Sequence, residues 1–172
     1  MVRAALFQNT LVTLPTGLGK TFIAATVMLN FYRWFSDGQI FFLAPTKPLV
    51  AQQIHAFANT ITEVDADDIV ELTGEDSQRS RRKYYKSKRV FFMTPQTLEN
   101  DIEAGMVDCE RIVLLVLDEA HHAMETTGFK KKKATTKGYA YCEIIKALSA
   151  LDIGFRVLAL SATPVSKPSN LQ

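Results

Sequence analysis

Residues 14–21 read LPTGLGKT and stand between a short apolar segment and a long segment with helical periodicity. The two glycines allow the backbone to curl so that its N–H groups point inward, and the start of a helix adds a partial positive charge. A loop of this kind between a strand and a helix is typical of a phosphate-binding loop. In such a loop Lys20 would face the β- and γ-phosphates of a nucleotide, and the Thr21 hydroxyl would ligate magnesium.

The loop departs from the full phosphate-binding pattern at one position. A glycine is expected six residues before the lysine, where this chain has Leu14. The alternative interpretation is a glycine-rich turn with a solvated lysine, but the strand–loop–helix setting favours nucleotide binding. The predicted nucleotide-binding residues are Leu14, Pro15, Thr16, Gly17, Leu18, Gly19, Lys20 and Thr21.

Outward from this loop, apolar segments alternate with segments of helical periodicity along the chain. Several apolar segments are uninterrupted, as in residues 113–117, which is typical of strands buried on both faces of a parallel sheet. The alternation predicts an α/β fold with a mainly parallel central sheet and helices on both faces. The predicted strands are 11–14, 40–44, 69–72, 90–93, 112–117 and 156–160, and the predicted helices are 21–35, 48–61, 77–88, 96–104 and 139–151.

Composition is that of an ordinary globular domain and excludes several classes of protein. The chain has 172 residues, of which 47% are hydrophobic and 22% charged, enough for one packed core and unlike a disordered chain. A net charge of +2 gives no chain-wide indication of nucleic-acid binding, so any basic surface must be local. Cys109 and Cys142 lack metal-site spacing and are expected to be reduced, structural thiols. No apolar run is long enough to span a membrane.

A second chemical motif follows the apolar segment 112–117. It reads Asp118-Glu119-Ala120-His121, and carboxylates directly after a buried strand are costly unless they have a partner. A helix start with acidic first-turn residues is the alternative, but a magnesium–triphosphate complex is a fitting partner. Asp118 would hold the ion, and Glu119 would position and polarise the attacking water. The predicted catalytic residues are Lys20 and Glu119, and the predicted magnesium ligands are Thr21 and Asp118.

With these two sites, the chain resembles the first RecA-like, ATP-binding lobe of a superfamily 2 helicase of the DExH/DEAH type. Five segments match the motifs of that lobe in order and along nearly the whole chain. Motif I is matched by PTGLGKT at 15–21, motif Ia by APTKPLVAQQ at 44–53, motif Ib by TPQTLEND at 94–101, motif II by DEAH at 118–121 and motif III by SATP at 161–164.

A narrower resemblance is to the Fanconi anaemia group M type of DNA helicase and translocase, with its fungal and archaeal relatives. It rests on LPTGLGKTFIAATVMLNFYRWF, APTKPLVAQQI, VFFMTPQTLEND and GYAYCEII. The resemblance implies ATP- and magnesium-dependent action on branched or fork DNA during repair in the nucleus. Two alternatives stay open: a duplex-RNA ATPase of the Dicer and RNA-sensor branch, and a nucleotide-gated DNA or protein docking module without turnover. The RNA branch usually has cysteine where this chain has Ala120, which favours DNA.

The resemblance also implies roles for residues outside the two nucleotide motifs. Motifs Ia and Ib would touch the backbone of the nucleic acid, gripping it without reading sequence. Motif III would couple the ATP state to that grip. The alternatives are that Thr46 and Thr94 only cap helices and that motif III is a polar turn. The implied nucleic-acid residues are Thr46, Lys47, Thr94, Pro95 and Gln96, and the implied coupling residues are Ser161, Ala162 and Thr163.

We expect residues 1–172 to form one domain that is truncated at both ends. An adenine-recognition motif would precede Met1, and a second RecA-like lobe with the arginine finger would follow Gln172. That lobe is the expected partner of this one in a monomeric protein. Two basic stretches lie outside the motifs: residues 79–89, RSRRKYYKSKR, and the four lysines at 130–133. Either could contact DNA or be a solvated surface.

Overall fold

The computed structural model describes residues 1–123 and 136–162. The strands are β1 (Thr10–Thr13), β2 (Gln39–Leu43), β3 (Ile69–Leu72), β4 (Val90–Met93), β5 (Ile112–Leu117) and β6 (Arg156–Ser161). The helices are α1 (Val2–Phe7), α2 (Lys20–Trp34), α3 (Lys47–Thr60), α4 (Gln78–Ser87), α5 (Pro95–Glu103) and α6 (Thr136–Ser149). Short 3-10 helices span Ala66–Asp68, Cys109–Arg111 and Ala120–Ala123.

The six strands form one sheet in the order β1-β6-β5-β2-β4-β3, and every neighbouring pair is parallel. The predicted α/β fold with a parallel sheet is therefore confirmed. Because all strands run the same way, their carboxyl ends meet at one edge of the sheet. Residues that directly follow β1, β2, β4, β5 and β6 lie along that edge.

Side chains of the central strands alternate between two hydrophobic cores. Ile40 and Phe42 belong to the core that also contains residues of α1, α2 and α3, whereas Phe41 and Leu43 belong to the core under α4, α5 and α6. Phe41 stacks on Phe91 of the neighbouring β4 with a ring-centroid distance of 4.8 Å. The uninterrupted apolar segments of the sequence reflect this burial on both faces.

The observed elements differ from the sequence-based expectations in one missed helix and in several boundaries, most of them by a single residue. α1 was not predicted because six residues are too few to show helical periodicity, yet Ala5 is fully buried against the first core. α6 begins at Thr136 rather than at residue 139, with Gly138 inside its first turn. β2 begins at Gln39, a polar residue that is fully buried and whose Nε2 donates to the Tyr85 carbonyl at 2.6 Å.

No helix in residues 1–123 or 136–162 is long and apolar enough to cross a membrane.

Candidate nucleotide and nucleic-acid sites

The glycine-rich loop follows β1 and ends at the first residue of α2. Gly17 and Gly19 have φ angles of +83° and +91°, a left-handed backbone that other residues adopt only with strain. Gly19 is also the N-cap of α2, so the turn brings the start of that helix to the sheet edge. Lys20 is buried, and its ammonium donates to the Leu14 carbonyl at 3.0 Å. The loop therefore holds its cation at a helix N-terminus, as a phosphate site requires.

The two carboxylates of the DEAH motif sit where β5 ends, in the middle of the sheet. The Asp118 N–H donates to the Leu43 carbonyl at 2.8 Å, which continues the pairing of β5 with β2 by one step. Asp118 is 4% exposed, and its Oδ1 accepts the Glu119 N–H at 3.0 Å. Glu119 has a φ of +48°, an uncommon backbone for a non-glycine residue that is often found at functional sites.

Burial raises the pKa of Asp118, and the neighbouring charge of Glu119 raises it further. The Glu119 N–H, the Lys20 charge and a hydrogen bond from Gln53 oppose this shift of the pKa without cancelling it. The carboxylate is thus desolvated and only partly compensated by the protein. A desolvated acid of this kind in a cleft is typical of a functional site that binds a cation.

Gln53 of α3 joins the two predicted magnesium ligands. The Thr21 hydroxyl donates to Gln53 Oε1 at 3.2 Å, and Gln53 Nε2 donates to Asp118 Oδ2 at 3.2 Å. Sequence reasoning did not assign this role to Gln53, although the residue belongs to the Gln52-Gln53 pair of the APTKPLVAQQ segment. The role depends on how α3 packs beside β5, which no local pattern reveals.

A cleft of about 530 Å³ lies between the glycine-rich loop, α3 and the DEAH motif, a volume within the usual range for small-molecule sites. It collects seven predicted nucleotide or catalytic residues: Thr16, Gly17, Gly19, Lys20, Thr21, Asp118 and Glu119. Three predicted loop residues do not line it. Leu14 contributes its carbonyl to Lys20 instead, the Leu18 side chain is 63% exposed, and Pro15 accepts the Leu18 N–H at 3.3 Å.

The donor atoms in this cleft suit magnesium. A hydroxyl and a carboxylate are the hard oxygen ligands that the ion prefers, and magnesium in phosphate sites usually takes only one or two protein ligands. Among residues 1–123 and 136–162, no group of three or more His, Cys, Asp or Glu side chains could hold a metal. The residues therefore fit a magnesium–nucleotide complex better than an all-protein metal cage.

One of the residues implied to couple nucleotide and nucleic acid, Ser161, contacts the segments that form the cleft. Ser161 is buried at the end of β6, its carbonyl accepts the Leu14 N–H at 3.1 Å, and its Oγ lies 3.4 Å from His121 Nδ1. The same His121 nitrogen is 3.2 Å from Glu119 Oε2. Ser161 thus contacts both nucleotide motifs. Ala162 follows it and is half-buried, whereas Thr163 lies outside the described residues.

The five residues implied to contact nucleic acid all line a second pocket, which lies at the same edge of the sheet. Its volume is about 340 Å³, and Pro45 and Pro48 complete its wall. Thr46 and Thr94 are the N-caps of α3 and α5, but neither side chain makes a capping hydrogen bond, which argues against the capping alternative. The residues that share this pocket are Thr46, Lys47, Thr94, Pro95 and Gln96.

Lys47 is the only one of these five residues with a charge, and Glu75 is its ion-pair partner. Both side chains are well exposed, at 51% for Lys47 and 82% for Glu75, so solvent and salt screen the pair. Lys47 can therefore exchange this carboxylate for a phosphate at little cost.

The family model for the type III restriction enzyme res subunit, ResIII, matches residues 3–166. The chain belongs to the ResIII family. This membership covers nearly the whole chain, and it confirms the resemblance to helicase-type ATP-binding lobes that the five motifs indicate.

Several relatives of this ResIII domain are named as helicases. The chain is 53% identical over its full length to the ATP-dependent DNA helicase mph1 of Aspergillus fumigatus, and 49% identical to the Fanconi anemia group M protein of Gallus gallus. It spans 14% and 8% of the lengths of these two relatives. The match to the Pyrococcus furiosus Hef helicase domain has a TM-score of 0.80 at 35% identity, covering 97% of this chain and 32% of that one.

A more distant structure supports the fold alone. The DEAD box protein of Methanococcus jannaschii matches with a TM-score of 0.73 at 20% identity, over 95% of this chain and 42% of that chain.

One further residue of this ResIII domain supports the DEAH motif, and sequence reasoning missed it. Tyr141 of α6 is fully buried, and its hydroxyl donates to the Asp118 carbonyl at 2.8 Å and lies 3.3 Å from the Leu43 carbonyl. It therefore fixes the backbone where β5 ends. The only signal in the sequence was its place in the GYAYCEII segment that resembles the helicase family.

Proposed function

We propose that this chain is the ATP-binding lobe of an ATP-dependent DNA helicase or translocase that acts on branched or fork DNA in repair. The observation that carries the proposal is the cleft of about 530 Å³ that brings Lys20 and Thr21 together with Asp118 and Glu119. The similarity to the ATP-dependent DNA helicase mph1 favours DNA over RNA as the partner.

Four side chains divide the chemistry of this cleft. Lys20 brings positive charge to the β- and γ-phosphates, and Thr21 and Asp118 offer oxygen ligands to magnesium. Glu119 orients a water molecule and takes its proton as that water attacks. Bound magnesium–ATP supplies the phosphoryl group and neutralises part of the charge that spreads over it during transfer.

Ser161 and His121 connect the nucleotide cleft to the end of β6 through side-chain contacts. His121 contacts Glu119 on one side and Ser161 on the other. A movement of the Glu119 side chain can therefore be transmitted to the end of β6. The second pocket lies on the same sheet edge and offers Thr46, Lys47, Thr94, Pro95 and Gln96 to a phosphate backbone. Contacts of this type grip any sequence, as a motor that moves along DNA requires.

The remaining parts of the proposal concern the whole protein. We expect a second RecA-like lobe to close over the cleft, to supply the arginine finger and to form the other half of the DNA track. The protein would act as a monomer in the nucleus. An arginine finger is worth about 10³–10⁵ in rate in related phosphoryl-transfer systems, so the lobe on its own should turn over ATP very slowly.

Phosphate release by the whole protein, measured with forked DNA, with duplex RNA and without nucleic acid, tests this function. We expect forked DNA to stimulate turnover more than RNA. Glu119→Gln should retain magnesium–ATP binding but lower turnover by about 10²–10⁴, because the amide keeps the shape of the side chain but cannot accept the proton. Stronger stimulation by RNA would favour the Dicer-like alternative, and binding without any turnover would favour the docking module.

A further inference from the structure

We propose that Gln53 is a positioning residue of the magnesium site, which orients the Thr21 hydroxyl and the Asp118 carboxylate toward the ion. The inference rests on the proposed function of the cleft and goes beyond it, because it adds a residue from α3 to a site built from the glycine-rich loop and the DEAH motif. Three elements of the fold meet at this one amide.

The amide of Gln53 matches its two partners in hydrogen-bonding character. Its Oε1 accepts from the Thr21 hydroxyl and its Nε2 donates to Asp118 Oδ2, each at 3.2 Å. A bridge between a hydroxyl donor and a carboxylate acceptor requires a side chain that carries one acceptor and one donor. A glutamate here would place a second negative charge against Asp118, and an apolar side chain would make neither bond.

The hydrogen bond from Thr21 to Gln53 sets the orientation of the Thr21 hydroxyl in the cleft. A hydroxyl has one hydrogen to donate and two lone pairs to offer. Because the hydrogen points to Gln53, both lone pairs remain free for a cation. The bridge thus keeps the hydroxyl in the orientation in which it is a ligand, rather than one in which its hydrogen would face the ion.

The bond to Asp118 completes a set of contacts that fix that carboxylate. Oδ1 accepts the Glu119 N–H at 3.0 Å and Oδ2 accepts from Gln53, so each oxygen has one directed contact. Groups that hydrogen-bond to metal ligands set the orientation of those ligands, and their mutation typically costs about 10- to 100-fold in metal affinity.

Gln53 also ties the magnesium ligands to the nucleic-acid pocket through one helix. It lies seven residues after Thr46, the N-cap of α3, which is about two turns and 10 Å along the helix. Thr46 and Lys47 at the start of α3 line the nucleic-acid pocket, and Gln53 lines the nucleotide cleft. A movement of the magnesium ligands is therefore transmitted through Gln53 to α3, the helix whose first residues line the nucleic-acid pocket.

Calorimetry of ADP binding, with EDTA and over a series of magnesium concentrations, tests the proposal. Gln53→Met is the main variant, because methionine has a similar length and shape but makes neither hydrogen bond. Asn59→Ala is the matched control, because it removes an amide from an exposed position of the same helix that does not line the cleft. We expect Gln53→Met to need about 10- to 100-fold more magnesium for the same gain in ADP affinity.

A purely structural role for Gln53 predicts a different pattern. It would lower ADP affinity in EDTA and in magnesium alike, together with the melting temperature, and that result would overturn the proposal. We expect ADP affinity in EDTA to be unchanged in Gln53→Met, and Asn59→Ala to match wild type in every measurement. If the methionine does not fit, Gln53→Ala removes the same two bonds from a half-buried position without adding volume, and we expect the same loss.

Failure of the proposed function has its own signature. If magnesium adds nothing to ADP affinity in the wild-type chain, the cleft is not a magnesium–nucleotide site and both proposals fail. If wild type gains affinity from magnesium and Gln53→Met gains as much at the same concentrations, the function of the cleft stands and the role of Gln53 is wrong.

Discussion

Asp118 is a residue at which the proposed function and folding stability oppose each other. The residue is 4% exposed, its carboxylate lies next to the charge of Glu119, and the pKa of that carboxylate is raised chiefly by burial. A folded protein without a bound cation therefore holds a charge that it does not fully compensate. Such local conflicts are expected at functional sites, where a ligand removes them.

Asp118→Asn should raise the melting temperature of the nucleotide-free chain at neutral pH while weakening the magnesium dependence of nucleotide binding. Because the folded-state pKa of Asp118 is raised, the wild-type chain loses stability as pH rises from the unfolded value of 3.8 through the folded-state value. The advantage of the asparagine variant should thus be smallest in acid and constant above that range. Thermal unfolding across pH checks this, and a variant less stable at neutral pH would contradict it.

The Lys47–Glu75 pair makes the second prediction at this scale. Glu75→Gln should tighten binding to forked DNA by about 1.4- to 5-fold, since an exposed pair of this kind is worth about 0.2–1 kcal/mol and Lys47 no longer has to leave a carboxylate. Fluorescence anisotropy at low salt measures the effect. Glu63→Gln removes the same charge from an exposed position that pairs with Arg33 and is the control. Equal gains in both variants would mean that only net charge matters.

At the scale of elements, α4 is attached to α5 by buried polar groups as well as by apolar packing. Arg81 Nη2 lies 3.1 Å from Asp101 Oδ1, and the Tyr85 hydroxyl donates to Asp101 Oδ2 at 2.7 Å. Asp101 is fully buried, and burial raises its pKa more than these two partners lower it. The basic stretch 79–89 is therefore not a uniformly solvated surface, because Arg81 and Tyr85 point inward.

Arg81→Met should destabilise the chain by about 3–5 kcal/mol, because removing one partner of a buried pair leaves the other charge uncompensated. The same change also removes hydrogen bonds from Arg81 Nη1 to the carbonyls of Thr73 and Asp76. Arg82→Met alters the next residue, which is exposed, and should change stability by no more than about 0.5 kcal/mol. Urea denaturation compares them, and similar losses in both variants would contradict a structural role for the Arg81–Asp101 pair.

At the scale of the whole molecule, most of the fold could be predicted from the sequence. The positions of the six strands followed from short, mainly apolar segments, which are uninterrupted in strands such as β4 and β5 because both faces of the sheet are buried there. α1 was too short to produce a periodic signal, and the predicted strand began one residue after Gln39, a polar residue whose burial depends on the bond from its amide to the Tyr85 carbonyl. Local patterns report what a segment prefers, and these two features depend on packing between distant segments.

The site residues also fall into those that local motifs predicted and those that depend on packing between distant segments. Motif spacing was enough to predict seven of the residues that line the cleft, because the loop and the DEAH motif each follow a strand and strand ends share one edge. It did not predict the part of the lining that comes from α3. Gln53 and Tyr141 were not predicted, because they reach Asp118 from α3 and α6 across the fold. Thr163 and the lysines at 130–133 lie outside the described residues, and their roles stay predictions.

If charge on the transferring phosphoryl group must be met from both lobes, residues 1–172 alone should bind magnesium–ATP and release almost no phosphate, with or without forked DNA. The lobe supplies Lys20 and the magnesium ligands, whereas we expect the arginine finger to come from the second lobe. Such an arginine accelerates phosphoryl transfer by about 10³–10⁵ in related systems. A phosphate-release assay on the purified chain measures this. Robust DNA-stimulated turnover that requires Lys20 would refute the two-lobe account.

The most direct test of the nucleotide site is the calorimetric affinity of residues 1–172 for magnesium–ADP in wild type and in Lys20→Ala. A charged hydrogen bond is worth about 1.5–3 kcal/mol, so affinity should fall about 10- to 100-fold. Lys83→Ala removes an exposed lysine of α4 that does not line the cleft, and it should bind like wild type. Unchanged affinity in a correctly folded Lys20→Ala variant would contradict the assignment of this cleft to nucleotide.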